Sequence, residues 1–286
     1  MLSYQHAYHV GGPADVVKHA LWAHILRHMA HKDGALHVYE THAGRGLYDI
    51  NAPETQKTPE YKTGLLRLMP NSSGFQPNNA YMEGVNALNP SGKLSRIPGS
   101  PAVALGVLRH GEEGDHLHLA EAHPGELEHL KLAFPHARRR AENIHIHEGD
   151  GHHLIPTLIK AGQRNAVLID PSYEVKAEYV QVTETVKAIL AKAPKTTVMV
   201  WYPLLNPKAR SQDMIDVLKA MGVPATYLVH YSWNTPDAEG MFGTGQVILN
   251  LPYKLETELP DVLRPLAPAL KQTAANLTAT LLVPRA

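Results

Sequence analysis

The sequence predicts an α/β fold built on a doubly wound, mostly parallel sheet, and two features indicate it. After residue 35, short apolar segments alternate with amphipathic ones, a pattern typical of strands joined by crossover helices. Polar or acidic loops follow four of the apolar segments, at 41–48, 121–124, 148–152 and 170–174. Because ligands of such folds bind outside the carboxyl ends of the strands, we expect these loops to share one cleft.

Seven strands are predicted, the last of them antiparallel. They cover Leu36–Glu40, Leu117–Glu121, Asn143–His147, Ala166–Asp170, Thr196–Trp201, Ala225–Tyr231 and Gln246–Leu251. Helices are predicted over 13–32, 100–109, 124–134, 151–161, 176–192 and 207–221. Ser100 suits the N-cap of the second helix, since Pro101 suits a first helical position.

The chain is expected to form one domain over 1–286. Within it, 1–35 is predicted to be an N-terminal segment and helix. Residues 50–98 are predicted to be a small helical insertion, because they contain six prolines and four glycines with little sustained periodicity, apart from a helical stretch near Tyr61–Met69.

Composition excludes several classes of protein. Of the 286 residues 44% are hydrophobic and 19% charged, a globular balance, and no apolar run reaches the roughly 18 residues of a membrane span. The absence of cysteine excludes disulfides, thiolate metal sites and cysteine nucleophiles. The first residues lack the pattern of a signal peptide. We therefore expect a cytoplasmic protein that does not contact a membrane.

Charge and histidine content point to no partner by themselves. Lys and Arg total 27, as do Asp and Glu, so no global positive field indicates nucleic-acid binding. A local basic rim remains compatible with that balance. The 19 histidines are scattered through predicted helices, strands and loops, which favours a surface rich in histidine over a metal centre.

A glycine turn follows the first predicted strand. Gly44 and Gly46 allow a tight turn and a close approach of the backbone to a ligand. The turn lacks the third glycine of the dinucleotide fingerprint and the lysine of a P-loop. This disfavours nucleotides held by their phosphates and leaves an adenosyl ligand without phosphates open.

An acidic residue ends the second predicted strand, and another lies in the loop after the third. Glu121 is placed to accept hydrogen bonds from ribose hydroxyls, although a solvated carboxylate explains it equally well. Asp150 is placed to accept a hydrogen bond from an exocyclic amine such as that of adenine. With Gly151 it also fits an ordinary Asp-Gly turn.

Asp170-Pro171-Ser172-Tyr173 is the most informative motif. Hydrogen bonds from an adenine amino group to the Asp170 carboxylate and the Pro171 carbonyl would orient the nitrogen lone pair. Tyr173 is expected to stack on the extruded base. A strand-terminating turn is the competing interpretation, since Asp and Pro are ordinary turn residues.

This motif resembles the Asp-Pro-Pro-Tyr signature of amino-directed, S-adenosylmethionine-dependent methyltransferases. More narrowly, the chain resembles the bacterial large-subunit ribosomal RNA adenine-N6 methyltransferases of the J type, which modify adenine 2030 of 23S ribosomal RNA. The matching segments are Met1-Leu2-Ser3-Tyr4, Ala14-Asp15-Val16-Val17-Lys18-His19, Thr41-His42-Ala43-Gly44, Pro98-Gly99-Ser100-Pro101, Glu121-Ala122-His123-Pro124, Asp150-Gly151, Leu168-Ile169-Asp170-Pro171 and Trp201-Tyr202-Pro203.

The resemblance implies a Rossmann-like class I methyltransferase fold, S-adenosylmethionine as methyl donor, 23S ribosomal RNA as partner and no metal. We expect the protein to be a monomer. The implied catalytic residues are Asp170, Pro171 and Tyr173. The implied cofactor-binding residues are His19, His42, Gly44, Ser100, Glu121, Asp150, Gly151 and Asp170. The implied substrate-binding residues are Tyr4, His6, Lys18 and Tyr173.

Two of these residues are not predicted to be functional by local pattern. Helix periodicity by itself predicts a solvated Lys18 and a surface His19. The family's second proline is also replaced, by Ser172, which retains both hydrogen-bond acceptors of the motif and loses rigidity before the tyrosine.

Alternative functions remain open on the sequence alone. The same motif serves adenine-N6 methylation of DNA. A nucleic-acid-binding or catabolic protein without methyltransferase activity is the alternative from another class. Its candidate metal ligands are His152-His153, His145-x-His147 and His116-x-His118, which no Asp/His cluster joins.

Overall fold

The structure of the chain, a computed structural model, describes residues 5–69, 79–111, 113–135, 143–206, 209–235, 240–270 and 276–285. Its strands are β1 (Leu36–Glu40), β2 (Leu47–Asp49), β3 (Arg96–Pro98), β4 (His116–Glu121), β5 (Ile144–Glu148), β6 (Arg164–Ile169), β7 (Thr197–Leu205), β8 (Thr226–Ser232), β9 (Met241–Leu249) and β10 (Asn276–Val283). All seven predicted strands are present; β1 has the predicted ends, and the other six differ by one to five residues at one or both ends.

Helices alternate with these strands. They are α1 (Pro13–Ala30), α2 (Pro53–Lys57), α3 (Ala80–Leu88), α4 (Ser100–Leu105), α5 (Pro124–Ala133), α6 (Gly151–Leu158), α7 (Glu178–Lys192), α8 (Ala209–Ala220), α9 (Leu255–Leu263) and α10 (Leu266–Leu270). Among the described residues, no helix combines the length and the apolar character needed to cross a membrane.

The main sheet has eight strands in the described residues, in the order β10-β8-β9-β7-β6-β1-β4-β5. The five from β7 to β5 are parallel, whereas β9 and β10 run antiparallel to their neighbours. The prediction of seven strands with one antiparallel strand was therefore wrong by one edge strand. Pattern could not reveal β10, because an edge position leaves most of its side chains exposed and removes the apolar alternation.

Helices cover both faces of the sheet. On one face α1, α4 and α5 contribute Leu21, Val103 and Leu130 to a buried cluster. On the other face α6, α7 and α8 contribute Ile155, Val182 and Leu218 to a second cluster. The parallel strands between these layers have their carboxyl ends at one edge of the molecule, which positions the loops that follow them.

The described part of residues 50–98 contains α2, α3 and two 3₁₀ turns, Glu60–Lys62 and Leu65–Leu68. The turns replace the single helical stretch predicted near Tyr61–Met69. Gly64 lies between them, and a Cβ at this position would lie 2.1 Å from the Gly11 carbonyl oxygen. The segment ends in β3, which pairs with β2 and so returns the chain to the glycine turn. Its standing as a separate insertion remains a prediction.

Candidate active site

The carboxyl ends of β1 and β6 are adjacent. Glu40 is in register with Leu168, and the Thr41 amide donates a hydrogen bond to the Leu168 carbonyl at 3.1 Å. The glycine turn that begins after β1 therefore lies beside Asp170, which follows β6 directly. β4 pairs with the other side of β1, so the loop that contains Glu121 lies at the same edge.

Asp170 is joined to the N-terminal helix by an ion pair. Lys18 Nζ, from α1, lies 2.6 Å from Asp170 Oδ2. The Lys18 side chain is 4% exposed and that of Asp170 is 14% exposed, so little solvent screens the pair. Lys18 Nζ also lies 5.5 Å from the centroid of the Trp201 indole.

Asp15 completes the polar network around this pair. Asp15 Oδ1 lies 3.0 Å from Lys18 Nζ, and Asp15 Oδ2 lies 2.8 Å from His6 Nε2. The third partner of this carboxylate is the backbone amide of Gly11, which donates a hydrogen bond to Asp15 Oδ2 at 2.9 Å. Burial alone would raise the pKa of Asp15, yet His6 and Lys18 hold it well below its usual value. Burial likewise opposes the charge of Lys18, but the carboxylates of Asp15 and Asp170 raise the pKa of Lys18.

Sequence reasoning placed Lys18 in solvent and His19 on the surface, and both predictions are wrong. Lys18 is 3% exposed and His19 is 1% exposed. The reason is that α1 packs against three helices, α3, α4 and α9, and also against the sheet through β9. Its apolar residues belong to the buried cluster, and no face of the helix is left exposed. Periodicity cannot orient a helix that is buried on all sides.

His19 has two buried ring nitrogens without a hydrogen-bond partner among the described residues. Its ring centroid lies 5.6 Å from that of Tyr81. Burial lowers the pKa of His19 to about 3, so the ring is neutral at pH 7. Because unpaired buried polar atoms are costly, this ring is suited to a polar ligand group.

A buried carboxyl group lies under the site. Glu40, at the end of β1, is fully buried, and its Oε2 accepts a hydrogen bond from the Ser100 hydroxyl at 2.6 Å. The Trp22 indole donates to its other oxygen at 3.3 Å. Burial raises the pKa of Glu40 to about 8. Ser100 is not the N-cap as predicted, because Gly99 holds that position and the Ser100 hydroxyl instead donates to Glu40.

The glycine turn is held by Glu121. The Gly44 amide donates to Glu121 Oε2 at 2.8 Å, and the His123 amide donates to Glu121 Oε1 at 2.7 Å. Gly44 and Gly46 have φ values of 59° and 71°, in the left-handed region that favours glycine. Glu121 thus fixes the turn in addition to any ligand contact, and its burial raises its pKa.

Asp150 is the N-cap of α6. Its Oδ1 accepts a hydrogen bond from the His152 amide at 2.8 Å, and its Oδ2 lies 2.6 Å from His153 Nδ1. The helix start is close to β1, since a Cβ on Gly151 would lie 2.0 Å from the Thr41 carbonyl oxygen. His42 lies beside this contact, with its ring edge-on to His152 at a centroid distance of 5.0 Å. Burial lowers the pKa of His42 to about 3.

Gly151→Ala is therefore expected to lower the free energy of unfolding by about 1–3 kcal/mol, since the new methyl group overlaps the backbone of Thr41. Gly84→Ala is the matched control, because Gly84 lies inside α3 and a Cβ there meets no atom within 4 Å. That change should be neutral or stabilising, as alanine is the better helix former. Urea denaturation measures both, and equal midpoints for the two variants would contradict the packing argument.

Tyr173 is turned into the protein. It has a φ of 57°, is 7% exposed, and donates a hydrogen bond from its hydroxyl to the Trp201 carbonyl at 2.8 Å. Its ring packs against Tyr179 at a centroid distance of 4.4 Å. Stacking of Tyr173 on a base therefore requires a rearrangement of the loop after Asp170 and stays a prediction.

Comparison with known proteins decides the family. A family model described as ribosomal RNA large subunit methyltransferase D, RlmJ, matches residues 33–283. The chain belongs to the RlmJ family. It is 31% identical over 266 residues to ribosomal RNA large subunit methyltransferase J of Escherichia coli K12, and 31% identical over 267 residues to the protein of the same name from Haemophilus influenzae. Each alignment covers 92% of both chains.

This member of the RlmJ family also resembles a solved structure over nearly the whole length of both chains. A crystal structure of a Legionella pneumophila protein superposes with a TM-score of 0.83 at 30% identity, covering 95% of this chain and 97% of the other. The predicted methyltransferase family and the predicted Rossmann-like α/β fold are confirmed, with the strand count corrected.

Most of the residues implied by resemblance lie at one edge of this RlmJ family member. Those at or next to the carboxyl ends of the strands are His42, Gly44, Glu121, Asp150, Gly151, Asp170 and Pro171, while α1 supplies Lys18 and His19 and α4 supplies Ser100. Tyr4 lies outside the described residues. Asp15, Glu40 and Trp201 were missed as site residues; for Glu40, a glutamate that ends an apolar strand before Gly-x-Gly was an available signal.

Proposed function

We propose that this chain transfers a methyl group from S-adenosylmethionine to the exocyclic N6 of an adenine in 23S ribosomal RNA, at a site of the adenine 2030 type. The observation that carries the proposal is the adjacency of β1 and β6, which sets Asp170 and Pro171 beside the glycine turn. The relatives named for ribosomal RNA large-subunit methylation support the substrate class.

The residues around the turn fit an adenosyl donor. Glu121 offers a carboxylate to ribose hydroxyls, and Asp150 offers one to an adenine amine. His19 offers two buried ring nitrogens that have no partner among the described residues, which suits the polar methionine end. We assign the remaining donor contacts to His42, Gly44, Gly151 and Ser100. When bound, S-adenosylmethionine supplies an activated methyl group on a sulfonium sulfur.

Asp170 and Pro171 act on the nitrogen that accepts the methyl group. Lys18 engages Asp170 Oδ2, so the proposed acceptor for the adenine amine is the other carboxylate oxygen, with the Pro171 carbonyl as second acceptor. These two hydrogen bonds orient the nitrogen lone pair. The carboxylate also stabilises positive charge as it develops on nitrogen, after which the proton leaves to water.

The polar network sets the charge that faces this nitrogen. Asp15, Lys18 and Asp170 together carry a formal charge of −1 when ionised, since Lys18 neutralises one of the two carboxylates. Without Asp15 the ammonium group would oppose the positive charge that builds on the adenine. We assign Asp15 a positioning role and assign His6, Lys18, Tyr4 and Tyr173 to the substrate side. We propose that the monomer is the working unit.

Labelled methyl transfer to isolated ribosomal RNA tests the proposal. Unmethylated 23S ribosomal RNA should yield N6-methyladenosine, identified by mass spectrometry after digestion to nucleosides. RNA in which the target adenine is replaced by guanine is the matched control and should yield none. Methyl groups found only in duplex DNA would favour the DNA alternative, and no transfer to either would overturn the proposal.

Glu121→Gln is expected to weaken S-adenosylmethionine binding about tenfold, because charge-assisted hydrogen bonds to ribose contribute roughly 1.5 kcal/mol more than neutral ones. The amide side chain keeps one oxygen acceptor for the turn. Isothermal titration with S-adenosylmethionine measures the dissociation constant. Glu148→Gln, an exposed change at the end of the adjacent β5, serves as control. An unchanged constant for Glu121→Gln would remove the ribose assignment.

A further inference from the structure

Five histidines project from one face of three neighbouring strands. They are His37, His116, His118, His145 and His147. Side chains alternate between the faces of a strand, and the registers of β1 with β4 and of β4 with β5 bring these five to the same face. We call them the histidine face.

The rings of the histidine face form two stacked rows. His37 and His116 are register partners, and their rings stack at 4.4 Å with an interplanar angle of 2°. His118 and His145 are register partners in the next row and stack at 4.5 Å. Tyr39 ends that row, at 4.5 Å from His118. The rows place the imidazoles of neighbouring strands next to one another.

Ring nitrogens from both rows converge. His37, His116 and His118 each offer one nitrogen, and the three nitrogens lie within 4.8 Å of one another. A tetrahedral site with bonds of about 2.1 Å needs nitrogens about 3.4 Å apart. A metal ion lies in the plane of each imidazole that binds it, so the stacked rings of His37 and His116 must turn about their side-chain bonds, out of their stack, to bind one ion. Both rings are only partly buried.

A further histidine lies next to this group. His145 Nε2 is 3.4 Å from His116 Nδ1. His118 Nε2 is buried and has no hydrogen-bond partner among the described residues. The donor set is thus three imidazoles, with a water molecule for the fourth position.

We propose that His37, His116 and His118 form a binding site for one divalent transition-metal ion of the zinc, nickel or copper class. Imidazole nitrogens select these ions, whereas magnesium and calcium prefer oxygen ligands. His37 and His116 lie at the starts of β1 and β4, at the opposite ends of the strands from Asp150 and Glu121. The ion would therefore join two strands of the sheet and take no part in methyl transfer.

Titration with zinc tests this site on the full chain, prepared without a histidine tag and stripped with a chelator. We expect one tightly bound ion, with a dissociation constant of about 1 µM or below. His116→Gln and His118→Gln should each weaken binding at least about tenfold, since each removes one of three ligands. His110→Gln, which alters an exposed histidine outside the histidine face, should leave the dissociation constant unchanged.

A measurement on the unaltered chain covers the case in which the variants fail to fold. Zinc should shift the ring nitrogen resonances of His37, His116 and His118 in an NMR spectrum, and should leave that of His110 in place. It should also raise the midpoint of thermal unfolding by about 5 °C at a hundredfold excess over the dissociation constant. Absence of saturable binding, or shifts confined to His152 and His153, would overturn the proposal.

Discussion

Replacing Asp170 with asparagine is expected to slow methyl transfer to ribosomal RNA by about 10²- to 10⁴-fold. The amide has nearly the size of the carboxylate and keeps one oxygen acceptor. It lacks the negative charge that stabilises the positive charge on the adenine nitrogen. Lys18 retains Asp15 as a partner at 3.0 Å, so the change should leave the fold in place.

Single-turnover rates with saturating RNA measure this effect without a contribution from product release. Asp213→Asn is the matched control, because Asp213 is exposed on α8, and its rate should equal that of the parent protein. Circular dichroism and the urea midpoint establish that the Asp170→Asn protein is folded. A folded variant that retains the parental rate would show that the active site lies elsewhere.

Replacing Lys18 with methionine is expected to lower the free energy of unfolding by about 3–5 kcal/mol at pH 7. Methionine fills a similar volume but leaves the carboxylates of Asp15 and Asp170 without their shared cation. The Asp15 side chain is 4% exposed, so water cannot replace the lost partner. Urea denaturation at pH 7 measures the change, and Lys219→Met, at an exposed position, controls for the loss of a lysine.

Two further measurements test whether the loss of stability comes from the buried carboxylate charge. In the parent protein the lowered pKa of Asp15 contributes stability above the usual aspartate pKa, and that contribution is lost as pH falls. In Lys18→Met the deficit should be smaller at pH 4 than at pH 7, because protonation removes the unpaired charge. The double variant Asp15→Asn, Lys18→Met should be more stable than Lys18→Met alone. A lower stability of the double variant would contradict the account.

Most of the fold could be predicted because the buried strands are short apolar runs between glycine and proline signals. Leu36–Glu40 was predicted with its observed ends. The last of the seven predicted strands was expected to be antiparallel, and β9 indeed pairs antiparallel with β8 and with β7. Local sequence signals gave no prediction of β10 and the wrong N-cap for α4, because tertiary packing decides both. At the start of α4 the Ser100 hydroxyl donates a hydrogen bond to Glu40, which lies 60 residues earlier in the sequence.

The site was less accessible to sequence reasoning, because its key contacts join distant segments. Nothing near Lys18 in sequence indicates an ion pair with Asp170, and helix periodicity gave the wrong exposure for Lys18 and His19. Their importance came only from the family resemblance. Asp15 and Glu40 were not predicted as site residues, because the role of a buried carboxyl group depends on its partners in the folded structure and the sequence does not show them.

The pairing of α1 with Asp170 also has a consequence for biosynthesis. The two partners are 152 residues apart, so at 5–20 residues per second the ribosome needs roughly 8–30 s to deliver the aspartate after the lysine. Throughout that interval the apolar sides of α1 have no finished sheet to cover them. The ion pair between the first helix and the strand end thus forms late in synthesis, and until then the helix depends on its earlier neighbours, such as α3 and α4, for cover.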